Sequence, residues 1–139
     1  MRSLVVDDDL VSRRVVVELL RPYGVSEQAV SGREAISLFI AAHDQKQPFD
    51  LVMLDIQMPN LDGQETLAAM RAVENQRGIA PQMSVKIIMT TVNVDRASID
   101  AAFKNQCEAY LIKPITRESL MINLEKFSLV PWNRQNKQL

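Results

Sequence analysis

Five short apolar runs alternate with five segments of helical period along this chain, and that alternation constrains the fold more than any single residue does. Ser3-Leu4-Val5-Val6 is an unbroken run that stops at Asp7, as a strand buried on both faces does. From Leu10 to Leu20 the apolar residues Leu10, Val11, Val15, Val16, Leu19 and Leu20 recur at helical spacing, and Pro22 and Gly24 close the segment. The patterning predicts a second strand over 26–30, a helix from 32 to about 42 capped by Ser31, and a third strand over 49–54. A helix over 63–73, a strand over 85–89, a helix over 95–105, a strand over 109–112 and a helix from the Thr116 cap to about residue 127 complete the series. Residues 74–84 read as a long polar connection, and 128–139 as a frayed, Pro-broken tail.

Strands that alternate with helices build an open parallel sheet covered on both faces. The fold class expected is therefore α/β, with a five-stranded parallel sheet of order 2-1-3-4-5 and five flanking helices. Right-handed crossovers leave few other topologies. Such sheets place their functional crevice at the carboxyl ends of the strands, where the strand order reverses.

Composition narrows the function. The 139 residues suit one domain, and a formal net charge of -1 supplies no broad basic field to hold nucleic acid. The lone Cys107 excludes an internal disulfide and fits a reducing compartment. No apolar run approaches a membrane span, and the start MRSLVVDDD is too short in its apolar part for a signal peptide. A cytoplasmic location and no membrane insertion are expected.

The residues at the strand ends carry the chemistry. The first strand ends in Asp7, Asp8 and Asp9, the third in Asp55, the fourth in Thr90 and Thr91, and the fifth in Lys113-Pro114. In the expected order the first and third strands are neighbours, so Asp7, Asp8 and Asp55 converge. Ionised carboxylates so close repel one another unless their pKa values rise or a cation neutralises them. An all-oxygen set favours a hard divalent ion, Mg²⁺ first, which would leave a coordination position for a phosphate oxygen. A carboxylate nucleophile, a metal, a lysine and a hydroxyl are parts that stabilise a transferring phosphoryl group, with Asp55 as the attacking group.

Carried by LVVDDD, LDIQMPNLDG, IIMTT and YLIKPI in this order, the sequence resembles the response-regulator receiver domain of two-component signalling, of the chemotaxis type. The resemblance runs from about Ser3 to Phe127, which sets the expected receiver domain at 1–127 and the tail at 128–139. It implies the flavodoxin-like receiver fold and a phosphoacceptor at Asp55. It implies Mg²⁺ held directly by Asp8, Asp55 and the backbone carbonyl of Gln57, with Asp7 acting through a metal-bound water. Lys113 would pair with the phosphoryl group across a cis peptide to Pro114. Thr91 would move toward that group and Tyr110 would turn inward, reshaping the face of the fourth helix, fifth strand and fifth helix for a downstream protein target. The implied phosphodonor is a histidine kinase or a histidine phosphotransfer protein.

Departures from the commonest pattern sit at Val92, at the variable positions Gln57 and Asn93, and at Asn105, which stands where a glycine is usual and is expected to take the left-handed conformation. Three other functions compete: a phosphorelay intermediate, an interaction module that works without phosphorylation, and an aspartyl-phosphate phosphohydrolase. The last would want a second acid two residues after Asp55, where Gln57 stands. A flavin site is disfavoured by the acids after the first strand.

Other residues have plainer readings. Asp9 reads as a helix cap, Thr90 as an inward strand residue, and Asp62-Gly63 as turn and helix entry. His43 reads as solvated surface, Cys107 as a small partly buried residue and the methionines as core filler. Trp132 is either a partner anchor or part of a loose tail.

Overall fold

The computed structural model describes residues 1–131. Among them five strands and five helices alternate: β1 (Arg2–Val6), α1 (Leu10–Leu20), β2 (Val25–Ala29), α2 (Gly32–Asp44), β3 (Leu51–Asp55), α3 (Gly63–Gln76), β4 (Lys86–Thr91), α4 (Arg96–Lys104), β5 (Ala109–Ile112) and α5 (Arg117–Lys126). All strand pairs are parallel, in the order β2-β1-β3-β4-β5. The α/β expectation and the strand order hold.

Alternate strand residues feed two separate cores, as the two-residue period of a strand requires. Leu4, Val6, Val52, Leu54, Ile87 and Met89 pack with Phe39 of α2 and with Leu67 and Met70 of α3. Val5, Met53 and Ile88 point the other way, onto Val16 and Leu20 of α1 and Leu120 and Leu124 of α5. Most of these side chains are wholly buried, and each such burial contributes about 1.5–3 kcal/mol. Every residue of β3 is buried, because it lies mid-sheet with a core on each side.

The helices begin where their caps demand. Asp9, Ser31, Asp62 and Thr116 each accept a hydrogen bond from a first-turn backbone N–H. Asp62 and Glu65 form a reciprocal capping box at α3. Gly63 opens that helix because a Cβ there would lie 2.3 Å from the Asp55 carbonyl oxygen, so the helix start can press against the end of β3.

The structure corrects five sequence readings. The helix α3 runs on to Gln76, and Glu74, expected in an exposed connection, is buried and accepts the Val85 N–H at 2.8 Å. Gln106, not Asn105, takes the left-handed conformation after α4, with φ of 73° against -84° at Asn105. His43 is half-buried edge-on against Phe39, its Nε2 without a hydrogen-bond partner, and burial followed by the Arg77 charge holds its pKa below the usual histidine value. Met83 is exposed rather than core, while Met53, Met58, Met70, Met89 and Met121 are buried. Past α5, Leu129 and Val130 pack onto the α1/α5 core, so the ordered packing continues beyond residue 127. Residues 132–139, with Trp132 and the rest of the expected tail, lie outside the described residues.

Candidate functional site

Sheet register assembles the site. Val6 of β1 pairs with Leu54 of β3, which brings Asp7 beside Asp55. Asp55 pairs in turn with Thr90 of β4, and Thr91 with Ile112 of β5, which delivers Lys113 one residue later. The Lys113 N–H donates to the Thr91 carbonyl at 2.7 Å, and the Lys113-Pro114 peptide is cis. Asp7, Asp55 and Lys113 thus meet at the carboxyl edge although they lie far apart in the chain.

The geometry is that of an acidic pocket with one ammonium. Lys113 Nζ lies 2.8 Å from Asp7 Oδ2 and 3.5 Å from Asp55 Oδ2. Asp7 Oδ1 accepts the Asp9 N–H at 2.9 Å, and Asp55 Oδ1 accepts the Gln57 N–H at 3.2 Å. Asp7, Asp8 and Asp55 can each offer a carboxylate oxygen within 4.8 Å of the others; Asp7 and Asp55 are buried, and Asp8 is exposed at the mouth. Thr91 is fully buried, whereas Gln57 is exposed.

Electrostatics show the crowding. Burial, followed by the Asp7 charge, pushes the Asp55 carboxyl up to about 7, and the Lys113 ammonium recovers only part of that. Burial alone would lower Lys113, but the hydrogen bond to Asp7 and the two carboxylate charges outweigh it and hold its pKa above the usual lysine value. Three carboxylates against one ammonium leave the cluster under-neutralised. Its all-oxygen donor set, with no sulfur or imidazole, fits Mg²⁺.

Residues 3–125 match the family described as response regulator receiver domain. The chain belongs to that family. Receiver domains are signalling phosphoacceptor modules of two-component systems rather than enzymes in the ordinary sense, and they generally bind Mg²⁺ in an acidic pocket. This receiver domain is 31% identical over 138 residues to probable histidine kinase 3 of Oryza sativa subsp. japonica, a match covering 89% of this chain and 13% of the rice protein. It therefore spans only a small part of that relative's length. The solved receiver domain of the histidine kinase CKI1 from Arabidopsis thaliana, in complex with Mg²⁺ and BeF₃⁻, is 29% identical with a TM-score of 0.75 over 90% of this chain and 89% of that one. The complex of the Saccharomyces cerevisiae phosphotransfer protein Ypd1 with the receiver domain of Ssk1 shares the fold, at a TM-score of 0.77 and 23% identity over 91% of this chain and 88% of that one.

Of the residues singled out from the sequence, Asp7, Asp8, Asp55 and Lys113 come together directly. Thr91 joins them through Gln57: its hydroxyl donates to Gln57 Oε1 at 2.8 Å. Tyr110 is half-buried at the rim, its Oη 3.5 Å from the Asn93 carbonyl oxygen. Asp9 caps α1, with the Ser12 N–H holding its carboxyl below the usual range, and Thr90 is buried. The sequence marked Gln57 as a variable position and its carbonyl as a metal ligand, but not the bond between its side chain and Thr91. A second cluster also went unread: Arg71 bridges Glu74 at 2.7 Å and Glu108 at 2.9 Å at the opposite edge of the sheet.

Proposed function

We propose that this receiver domain is a phosphorylation switch in which Asp55 accepts a phosphoryl group from the phosphohistidine of a histidine kinase or a histidine phosphotransfer protein. The observation that carries this reading is the convergence of Asp7, Asp8 and Asp55 beside Lys113. An Asp55 oxygen attacks phosphorus, the P–O bond forms as the P–N bond breaks, and the imidazole leaves and takes up a proton. Asp8, Asp55 and the Gln57 carbonyl would hold Mg²⁺, with Asp7 reaching it through water, and the ion would supply positive charge that lets Asp55 ionise and offsets charge on the phosphoryl oxygens. Lys113 exchanges part of its pairing with Asp55 for the incoming phosphoryl oxygens. The acyl phosphate is later lost by slow self-directed hydrolysis, with no substrate turned over.

Surface chemistry supports two protein contacts. Leu10, Val11 and Val15 of α1 are exposed, and Val11 and Val15 line a groove with Lys113, Pro114 and Ile115 that reaches the mouth of the site. Apolar surface beside a reacting centre suits contact with the phosphodonor protein. Phe103 of α4, Ile112 of β5 and Ile122 of α5 are exposed, as is Val94 just before α4, and these elements form the face to which Thr91 and Tyr110 would carry the change for a downstream target. No helix among the described residues is long and apolar enough to cross a membrane.

Incubation with acetyl phosphate, followed by intact mass, tests the assignment. The wild type gains one phosphoryl group only when Mg²⁺ is present, and Asp55→Asn gains none. Modification of Asp55→Asn would remove Asp55 from its role, and metal-independent modification of the wild type would remove Mg²⁺ from the reaction.

A further inference from the structure

The Thr91 side chain is already engaged in the resting protein. Its hydroxyl gives its single proton to Gln57 Oε1 at 2.8 Å and accepts the Asn93 N–H at 3.1 Å. Gln57 is tied to the reacting carboxylate as well, through its own N–H to Asp55 Oδ1 at 3.2 Å. A phosphoryl oxygen on Asp55 carries no proton to give, so it would compete with Gln57 Oε1 for the same Thr91 hydroxyl. Asn93, whose N–H that hydroxyl accepts, also offers its carbonyl to Tyr110 Oη at 3.5 Å, and Thr91 itself is a hydrogen-bond neighbour of the Tyr110 phenol.

We infer that the side chain of Gln57 is a latch: it holds Thr91, and through Asn93 the Tyr110 ring, in the resting arrangement until a phosphoryl oxygen outbids it for the hydroxyl proton. This deepens the phosphorylation-switch reading and rests on it for the identity of the competing group. Gln57 is a positioning residue in this role. Its amide sets how much of the phosphoryl group's binding is spent on releasing Thr91, and therefore the resting population of the switched state. Gln57 is exposed, so its amide can rotate into solvent on release without leaving a buried polar group unpaired.

The test uses beryllofluoride with Mg²⁺ as the phosphoryl mimic and fluorotyrosine NMR as the readout. The chain has two tyrosines, and Tyr23, packed in the α1/α5 core, is the internal reference for Tyr110. Gln57→Leu keeps the bulk and removes the acceptor. It should tighten beryllofluoride binding by roughly three- to tenfold, the worth of one hydrogen bond. Without mimic, it should move the resting Tyr110 resonance toward its saturated position and leave Tyr23 in place. Gln57→Glu keeps an accepting oxygen and should hold the resting resonance. In a Thr91→Val background Gln57→Leu should change nothing. Wild-type affinity and resonance in Gln57→Leu, or a change only in acyl-phosphate lifetime, would overturn the latch. Should the wild type bind no beryllofluoride, the switch reading fails, while the resting Tyr110 resonance of Gln57→Leu still decides whether the latch exists.

Discussion

Asp55 carries the most conflicted chemistry of any described residue. It ends a strand whose every residue is buried, beside a second buried carboxylate, and its carboxyl titrates at about 7. The raised value means that the folded protein holds a proton which the unfolded chain releases near the ordinary carboxylate pKa. Metal-free stability is therefore highest at or below that ordinary value and falls as the pH climbs toward 7. Mg²⁺ must displace the same proton, so its affinity should rise by up to about tenfold per pH unit below 7 and level off above it. Titrating Mg²⁺ against fluorescence or heat from pH 5.5 to 8 checks this, and a flat profile would mean that Asp55 is ionised without the metal. Asp55→Asn removes one of the three crowded carboxylates, and the metal-free protein should gain about 0.5–2 kcal/mol in urea unfolding, a stability recovered from a strained functional site. The identity of these acids was legible because each follows an apolar run. The Gln57–Thr91 bond was not, because a side-chain contact between residues 34 positions apart has no local signature.

At the scale of elements, β4 and β5 are held at both edges of the sheet by different means. The carboxyl edge has the Asp7–Lys113–Asp55 cluster. The amino edge has Arg71 of α3, whose guanidinium reaches Glu74, Glu108 and the carbonyls of Val85 and Gln106. Both glutamates also accept backbone N–H groups, Glu74 from Val85 and Glu108 from Ile87. This network anchors α3 to the start of β4 while its other end, at Gly63, presses against the end of β3. Arg71→Met would leave two largely buried carboxylates without their cation, at a cost of about 3–5 kcal/mol in urea unfolding. A loss under about 1 kcal/mol would mean that water solvates both groups adequately. Helix starts were legible from their caps, since Ser31, Asp62 and Thr116 satisfy first-turn N–H groups within three residues. The end of α3 was not: Glu74 looks like a loop acid until Arg71 and the Val85 amide are seen to enclose it.

Over the whole molecule, the order β2-β1-β3-β4-β5 puts three strands between two helical layers and leaves β2 and β5 at the edges. β3 is wholly buried, and β2 is the most exposed strand at its start, with Val25 at 64%. Native-state hydrogen exchange should find the slowest amides in β3 and its neighbour β1, opening only with global unfolding at about 5–15 kcal/mol, and faster exchange in β2. Equal protection of β2 and β3 would show that the edge strand never opens independently. Two cores on either side of one sheet also explain why the fold class was readable: strands buried on both faces must be short and apolar, and helices packed on a sheet must carry one apolar stripe. Those are local demands on composition, so the sequence alone determined the elements, their alternation and the acids and lysine at their ends. Which hydroxyl meets which amide, which glutamate is enclosed, and how far the Asp55 proton is held depend on distances between distant segments, set by register and packing. Only the tertiary structure decided them.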